Sequence, residues 1–150
     1  MVRKVSHFSL TDDKDKKIRE LEEALWLAHY RMINLMAYEK ERILSGYHHV
    51  EDLSSAYRWL GEAANALIKI ADAKPGFEMG DPGTRLRAVC PLCGDGAQTP
   101  YVEGFAVPIG LRRHLMGEYN SQQCTVMAAA LWLARDSARR ASDPKAPQAR

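Results

Sequence analysis

Residues 88–96 read AVCPLCGDG: two cysteines, Cys90 and Cys93, separated by Pro91 and Leu92 and followed by Gly94. The two-residue spacing lets both sulfurs point at one cation while the amides of the turn face them, and the glycine relieves the strained end of the turn. A knuckle of this kind signals metal binding and asks for two further ligands. Downstream, GFAVPIGLRRHLMGEYNSQQC (104–124) offers His114 and Cys124 and no other His or Cys. Cys124 has two readings. Unbridged cysteine is among the most buried residue types, so it fits as a small apolar residue ahead of TVMAAALWLA. As a ligand in the first turn of a final helix, it would gain from the unpaired amides and the helix dipole, which favour a thiolate. Three cysteines are too few for a disulfide scaffold. In a reducing compartment, with the cytoplasm as the default, a close pair reads as metal-binding first and redox-active second.

Phe105, five residues, Leu111, two residues and His114 reproduce the F-x5-L-x2-H half of the two-Cys, two-His zinc finger. Over residues 90–124 the chain resembles that family. The resemblance implies a ββα unit in which Phe105 and Leu111 form a miniature core under one structural Zn2+, with His114 supplied by the helix. The match departs from the family twice: eleven residues separate Cys93 from Phe105, and the last ligand is Cys124, separated from His114 by nine residues. The expected site is therefore Cys90, Cys93, His114 and Cys124, on a hairpin enlarged by the loop GDGAQTPYVEG. A tetrahedral zinc with four protein ligands has no open position for water, so it contributes folding energy and not catalysis.

Carried over residue by residue, the family's base-reading positions fall on Val107, Gly110 and Arg113, of which Arg113 alone can pair with a base edge. Sequence-specific reading is thus poor, whereas phosphate binding through Arg112, Arg113, Arg135, Arg139 and Arg140 remains open. Residues 111–150 carry seven Lys+Arg against three Asp+Glu, while the whole chain is nearly balanced at 21 against 19. These arginines also fit the solvated face of two helices, and the loop with Tyr101 and Phe105 also fits a protein-binding surface.

The amino-terminal half has a different pattern. From an N-cap at Thr11, with Asp12 and Asp13 in the first turn, Ile18, Leu21, Leu25, Ala28, Met32 and Leu35 recur at alternating spacings of three and four. The pattern predicts one helix to about Ser45, with Gly46 as its stop. Leu53, Ala56, Leu60, Ala63, Leu67 and Ile70 repeat it until Lys74-Pro75-Gly76. Two such helices with a short link predict an antiparallel hairpin over 1–75, with Ala28 facing Ala56 or Ala63. Trp26, Leu27, Ile33, Met36 and Trp59 widen the apolar surface, so a second unit or a homodimer through 11–73 must cover it. Residues 76–87 read as a linker rich in Gly and Pro. The unit 88–140 ends in a helix from about Ser121, where Asn120 and Gln123 have capping-box spacing, and 141–150 reads as a disordered tail.

The fold expected is mainly α: a helical hairpin, a zinc-finger-like ββα module and a terminal helix. No apolar run spans a bilayer. His48 and His49 read as polar turn residues and His29 as an edge histidine. No phosphate loop or nucleophile motif occurs, and no βαβ pattern surrounds the CxxC, so the chain reads as no enzyme. The expected function is that of a zinc-binding, nucleic-acid-associated accessory or regulatory protein. The alternative is a protein-interaction adaptor or inhibitor, of the kind mobile elements encode, in which the zinc is purely structural.

Overall fold

The computed structural model describes residues 7–78, 81–96 and 104–143. In chain order these form α1 (His7–Asn34), α2 (Tyr38–Leu44), a 3-10 turn (Ser45–His49), α3 (Leu53–Ile70), β1 (Lys74–Glu78), β2 (Asp81–Ala88), β3 (Phe105–Ala106), α4 (Ile109–Met116) and α5 (Thr125–Ser142). The fold is mainly α, with one small antiparallel sheet in the order β1-β2-β3.

The last helix is the centre of the molecule. α5 buries Met127, Ala130, Leu133, Ala134 and Ala138, and packs against α1, α3 and the 3-10 turn. Its alanines leave room for three neighbours to come close, which longer side chains would prevent. One hydrophobic cluster joins Ile33 of α1, Leu44 of α2, Leu60 and Leu67 of α3, Leu111 of α4 and Leu133 of α5. The helical half and the cysteine-bearing half therefore share a single core. One polar tie fixes α5 further: Ser137 Oγ donates to Val50 O at 3.1 Å. Within α5 itself, buried Asp136 accepts from Arg139 and Arg140, each at 2.8 Å.

This arrangement replaces the expected α-helical hairpin. α1 rests on α5, not on α3. Its heptad row is mostly outside: Ile18, Leu21, Leu25 and Leu35 are 53%, 57%, 45% and 83% exposed. Ala28 is exposed as well and faces neither Ala56 nor Ala63. The buried side of α1 is carried instead by Trp26, Tyr30 and Ile33. The α3 row does face inward, with Ala56, Leu60, Ala63 and Leu67 all buried. Asp52 caps that helix by accepting from the Ser55 amide at 2.7 Å.

The first helix also differs at both ends. It begins by His7, which puts Thr11 inside the helix and not at its cap. It stops at Asn34 instead of Ser45, and Ala37 turns extended (φ −56°, ψ 146°) before α2 starts. No Gly or Pro marks this break. It lets the chain reverse so that Leu44, Tyr47 and Val50 reach the core, and burial of those side chains outweighs the high helix propensity of Leu35-Met36-Ala37. Gly46 lies under Trp59, where a Cβ would fall 2.5 Å from the indole Nε1, so a close approach and not a helix stop requires glycine there.

Of the expected linker 76–87, residues 76–78 and 81–87 belong to paired strands, in which Lys74, Pro75, Gly76 and Glu78 face Arg87, Leu86, Arg85 and Asp81; 79–80 lie outside the described residues. β1 lies at the sheet edge, where a proline without an N–H is tolerated. α5 starts at Thr125, not Ser121, because Tyr119 and Asn120 take left-handed φ values of 53° and 60°. Gln123 consequently makes no capping box; its Nε2 donates to Leu115 O at 3.2 Å. The loop around Tyr101 (97–103) and the tail beyond 143 lie outside the described residues, and α5 continues through Ser142.

Leu60→Ala should lower stability by about 2–5 kcal/mol, because it empties a fully buried position of the α3 row. Leu53→Ala, in the same row but exposed, should change it by less than about 0.5 kcal/mol. Urea unfolding of the two variants checks the pair.

Candidate metal centre

The site is assembled from three pieces of chain. β2 pairs with β3 through Arg87 with Ala106 and Ala88 with Phe105, and the chain then leaves the sheet into the cysteine turn. There the Cys90 amide donates to Asp95 O at 2.9 Å, and the Gly94 amide donates to Cys90 O at 3.0 Å. Gly94 has φ +75°, the left-handed conformation that closes the turn and that the sequence pattern anticipated. Arg87 secures the base of the turn by donating to Gly104 O at 3.1 Å.

α4 brings the third donor. It is preceded by a cis peptide bond between Val107 and Pro108, and Pro108 stands at its N-cap, one residue before the first helical position. Leu111 is fully buried, and the Phe105 ring stacks on the His114 imidazole with centroids 4.5 Å apart and planes 15° from parallel. The Nδ1 atom of His114 lies 3.2 Å from Gln122 O. A carbonyl only accepts, so Nδ1 carries the hydrogen and the Nε2 lone pair faces outward, 3.2 Å from Cys93 Sγ. An outer partner of this type fixes the tautomer and orientation of a ligating histidine.

Cys124 stands at the N-cap of α5. Its amide donates to His114 O at 2.9 Å, which locks the end of α4 to the start of α5. Its Sγ comes within 3.8 Å of Cys90 Sγ. All four candidate ligand atoms, from Cys90, Cys93, His114 and Cys124, lie within 4.8 Å of one another. Cys90, His114 and Cys124 are buried and Cys93 is exposed, so the site is dry on three sides with an approach on the fourth.

A tetrahedral metal with thiolate bonds of about 2.3 Å sets its sulfurs about 3.8 Å apart, the spacing observed for Cys90 and Cys124. The thiol chemistry points the same way. Without a cation, hydrogen bonding from Cys124 pulls the Cys90 thiol down to about 5, against the effect of burial and with help from the Cys93 and Leu92 amides. That same hydrogen bond and burial push Cys124 up, and burial pushes Cys93 up. One negative charge is thus supported among three sulfurs, and a bound dication would let all three ionise together.

Among the described residues this is the one group of three or more such side chains able to hold a metal ion. The pair His48 and His49 lies in the 3-10 turn, where His48 stacks on Tyr47. His29 packs on Trp132 of α5 with ring centroids 4.7 Å apart, and burial lowers its pKa.

The five arginines are placed as follows. Arg112 donates to Asn65 Oδ1 on α3. Arg113 lies 4.7 Å over the Tyr119 ring. Arg139 and Arg140 share Asp136, and Arg135 is exposed. The engagement of Arg139 and Arg140 by a buried carboxylate three and four residues earlier was open to the sequence as an i, i+3 and i, i+4 pattern. The Gln122 contact to His114 was not, because the acceptor is a backbone oxygen.

Fold and site together define a mainly α-helical protein with a Cys3His group close enough to hold a metal ion. No protein-family model, curated protein or solved structure matches the chain.

Cobalt(II) added to the reduced protein should give the visible bands of a tetrahedral, thiolate-ligated ion, and Cys124→Ala should abolish them. The Cys93 and Cys124 thiols are pushed above their ordinary range, so loading displaces protons from them. Metal affinity should therefore rise with pH and fall on acidification. Competition titration with a chromophoric chelator reads this dependence.

Proposed function

We propose that the chain is a non-enzymatic, zinc-stapled interaction adaptor, acting in a reducing compartment such as the cytoplasm, and that α1 is the element it offers to a partner. The observation that carries this reading is the exposure of residues 11–25 of α1 on every side, although they include the apolar row Ile18, Leu21 and Leu25. Monomeric proteins seldom leave an ordered apolar row in water unless it has a use.

The zinc is proposed as structural. Cys90, Cys93, His114 and Cys124 fill a tetrahedron with protein atoms, which leaves no position for a substrate or an activated water. The metal would tie the cysteine turn to α4 and to α5, and through α5 to the face that grips the carboxy-terminal half of α1. The finger-like order of β2, cysteine turn, β3 and α4 serves this purpose without a base-reading face.

Nucleic-acid association is the second reading, favoured by the exposed Arg113, Arg135 and Arg139. Against it, Arg139 and Arg140 already share the charge of Asp136 and Arg112 is bonded to Asn65, so part of the cationic surface is spent inside the protein.

Fluorescence anisotropy with a labelled random duplex separates the two. The adaptor reading expects no binding at about 50 mM salt and no change when Arg113, Arg135 and Arg139 become Ala. Tight binding that falls steeply towards about 200 mM salt, and is lost in that triple variant, would establish the nucleic-acid reading instead.

A further inference from the structure

α1 divides into two unlike halves. From Trp26 onward it is anchored: Trp26 stacks on Tyr30 at 5.0 Å, His29 packs on Trp132, and Ile33 is buried. From 11 to 25 every residue is exposed, a length of about 22 Å at the helical rise of 1.5 Å per residue. Its apolar row, Ile18, Leu21 and Leu25, stands in water along this stretch, so it needs an occupant.

We infer that the occupant is α1 of a second copy of this chain, in a parallel two-stranded coiled coil; the inference rests on the adaptor reading and names the partner. Ile18 and Leu25 take the first core position of successive heptads, and Leu21 and Ala28 the second; all four are exposed. Met32, next in the row, packs against the protein's own core, so the coil ends before it, and Trp26, Tyr30 and Ile33 lie on a different face of the helix. A β-branched residue at the first position with leucine at the second, as in Ile18 and Leu21, favours two strands.

Charge identifies both the partner and its direction. Of the positions flanking the core, one side carries Asp15, Glu22 and His29, and the other Lys17, Ala24 and Arg31. In a parallel pair the basic flank of one helix meets the acidic flank of the next heptad of the other. Lys17 then faces the second copy's Glu22, twice by symmetry. An antiparallel pair sets acidic flank against acidic flank and basic against basic, so no carboxylate meets a Lys or Arg. The pKa of Arg139 on α5 is raised first by its hydrogen bond to Asp136 and in smaller part by the charge of Glu22, so in the dimer Glu22 would be flanked by two cations. Parallel pairing places both metal-stapled bodies at the same end of the coil.

Sedimentation equilibrium of the zinc-loaded full chain, with circular dichroism and zinc content as controls on folding, tests this. Wild type should dimerise. Lys17→Glu and Glu22→Lys should each weaken the dimer about tenfold, and the double variant should recover it, because these exposed positions leave the monomer fold intact. A monomer at every concentration would overturn the second copy, and a dimer indifferent to the single charge reversals would overturn parallel pairing. Neither result touches the adaptor reading, which fails separately if the same samples bind duplex DNA in the salt-dependent manner described above.

Discussion

The arrangement of the molecule turns on the convergence of four donor atoms carried by three separate stretches of chain. Cys90 and Cys93 come from a turn off the sheet, His114 from α4 and Cys124 from the N-cap of α5. Three sulfurs and an imidazole in a mostly dry pocket are an unstable combination by themselves: burial resists ionisation, and one thiolate suppresses the next. A dication reverses both effects. The geometry around the donors is prepared for one, with the His114 tautomer fixed by Gln122 O and the Cys124 amide bonded to His114 O.

What the site fixes is the start of α5, and α5 in turn fixes nearly everything else. Its small side chains accept α1, α3 and the 3-10 turn at close range. Holding its first residue against α4 sets the direction in which the whole helix runs through the core. A structural metal at this point would therefore act far beyond its immediate shell. It would determine where Ile33 and Leu60 find their partners, and how firmly the anchored half of α1 is held while the other half stands clear of the body. Rigidity at one end of α1 and exposure at the other are the two properties an interaction helix needs, since a partner then meets a surface that costs little further ordering.

The four converging candidate donors were legible in the sequence because their chemistry is local and scarce. Cys90-Pro-Leu-Cys93-Gly encodes its own turn, and His114 and Cys124 were the only remaining residues of the right type within reach. The mainly helical character was equally legible from spacing, and in α3 the predicted row is the buried one. The row in α1 shows the limit of that inference. Heptad spacing states that Ile18, Leu21 and Leu25 share a face; it does not state that this face lies inside the same chain, and Trp26, Tyr30 and Ile33 compete for that place with larger, partly aromatic surfaces.

The sequence by itself thus determined the donor set, the turn that presents half of it, and the helical faces, because each depends on residues a few positions apart. Tertiary structure alone decided which faces meet, where α1 breaks, and that 74–78 pairs with 81–87. Those outcomes depend on competition among distant surfaces for one core around α5, and no local pattern records the result of a competition between residues far apart in the chain.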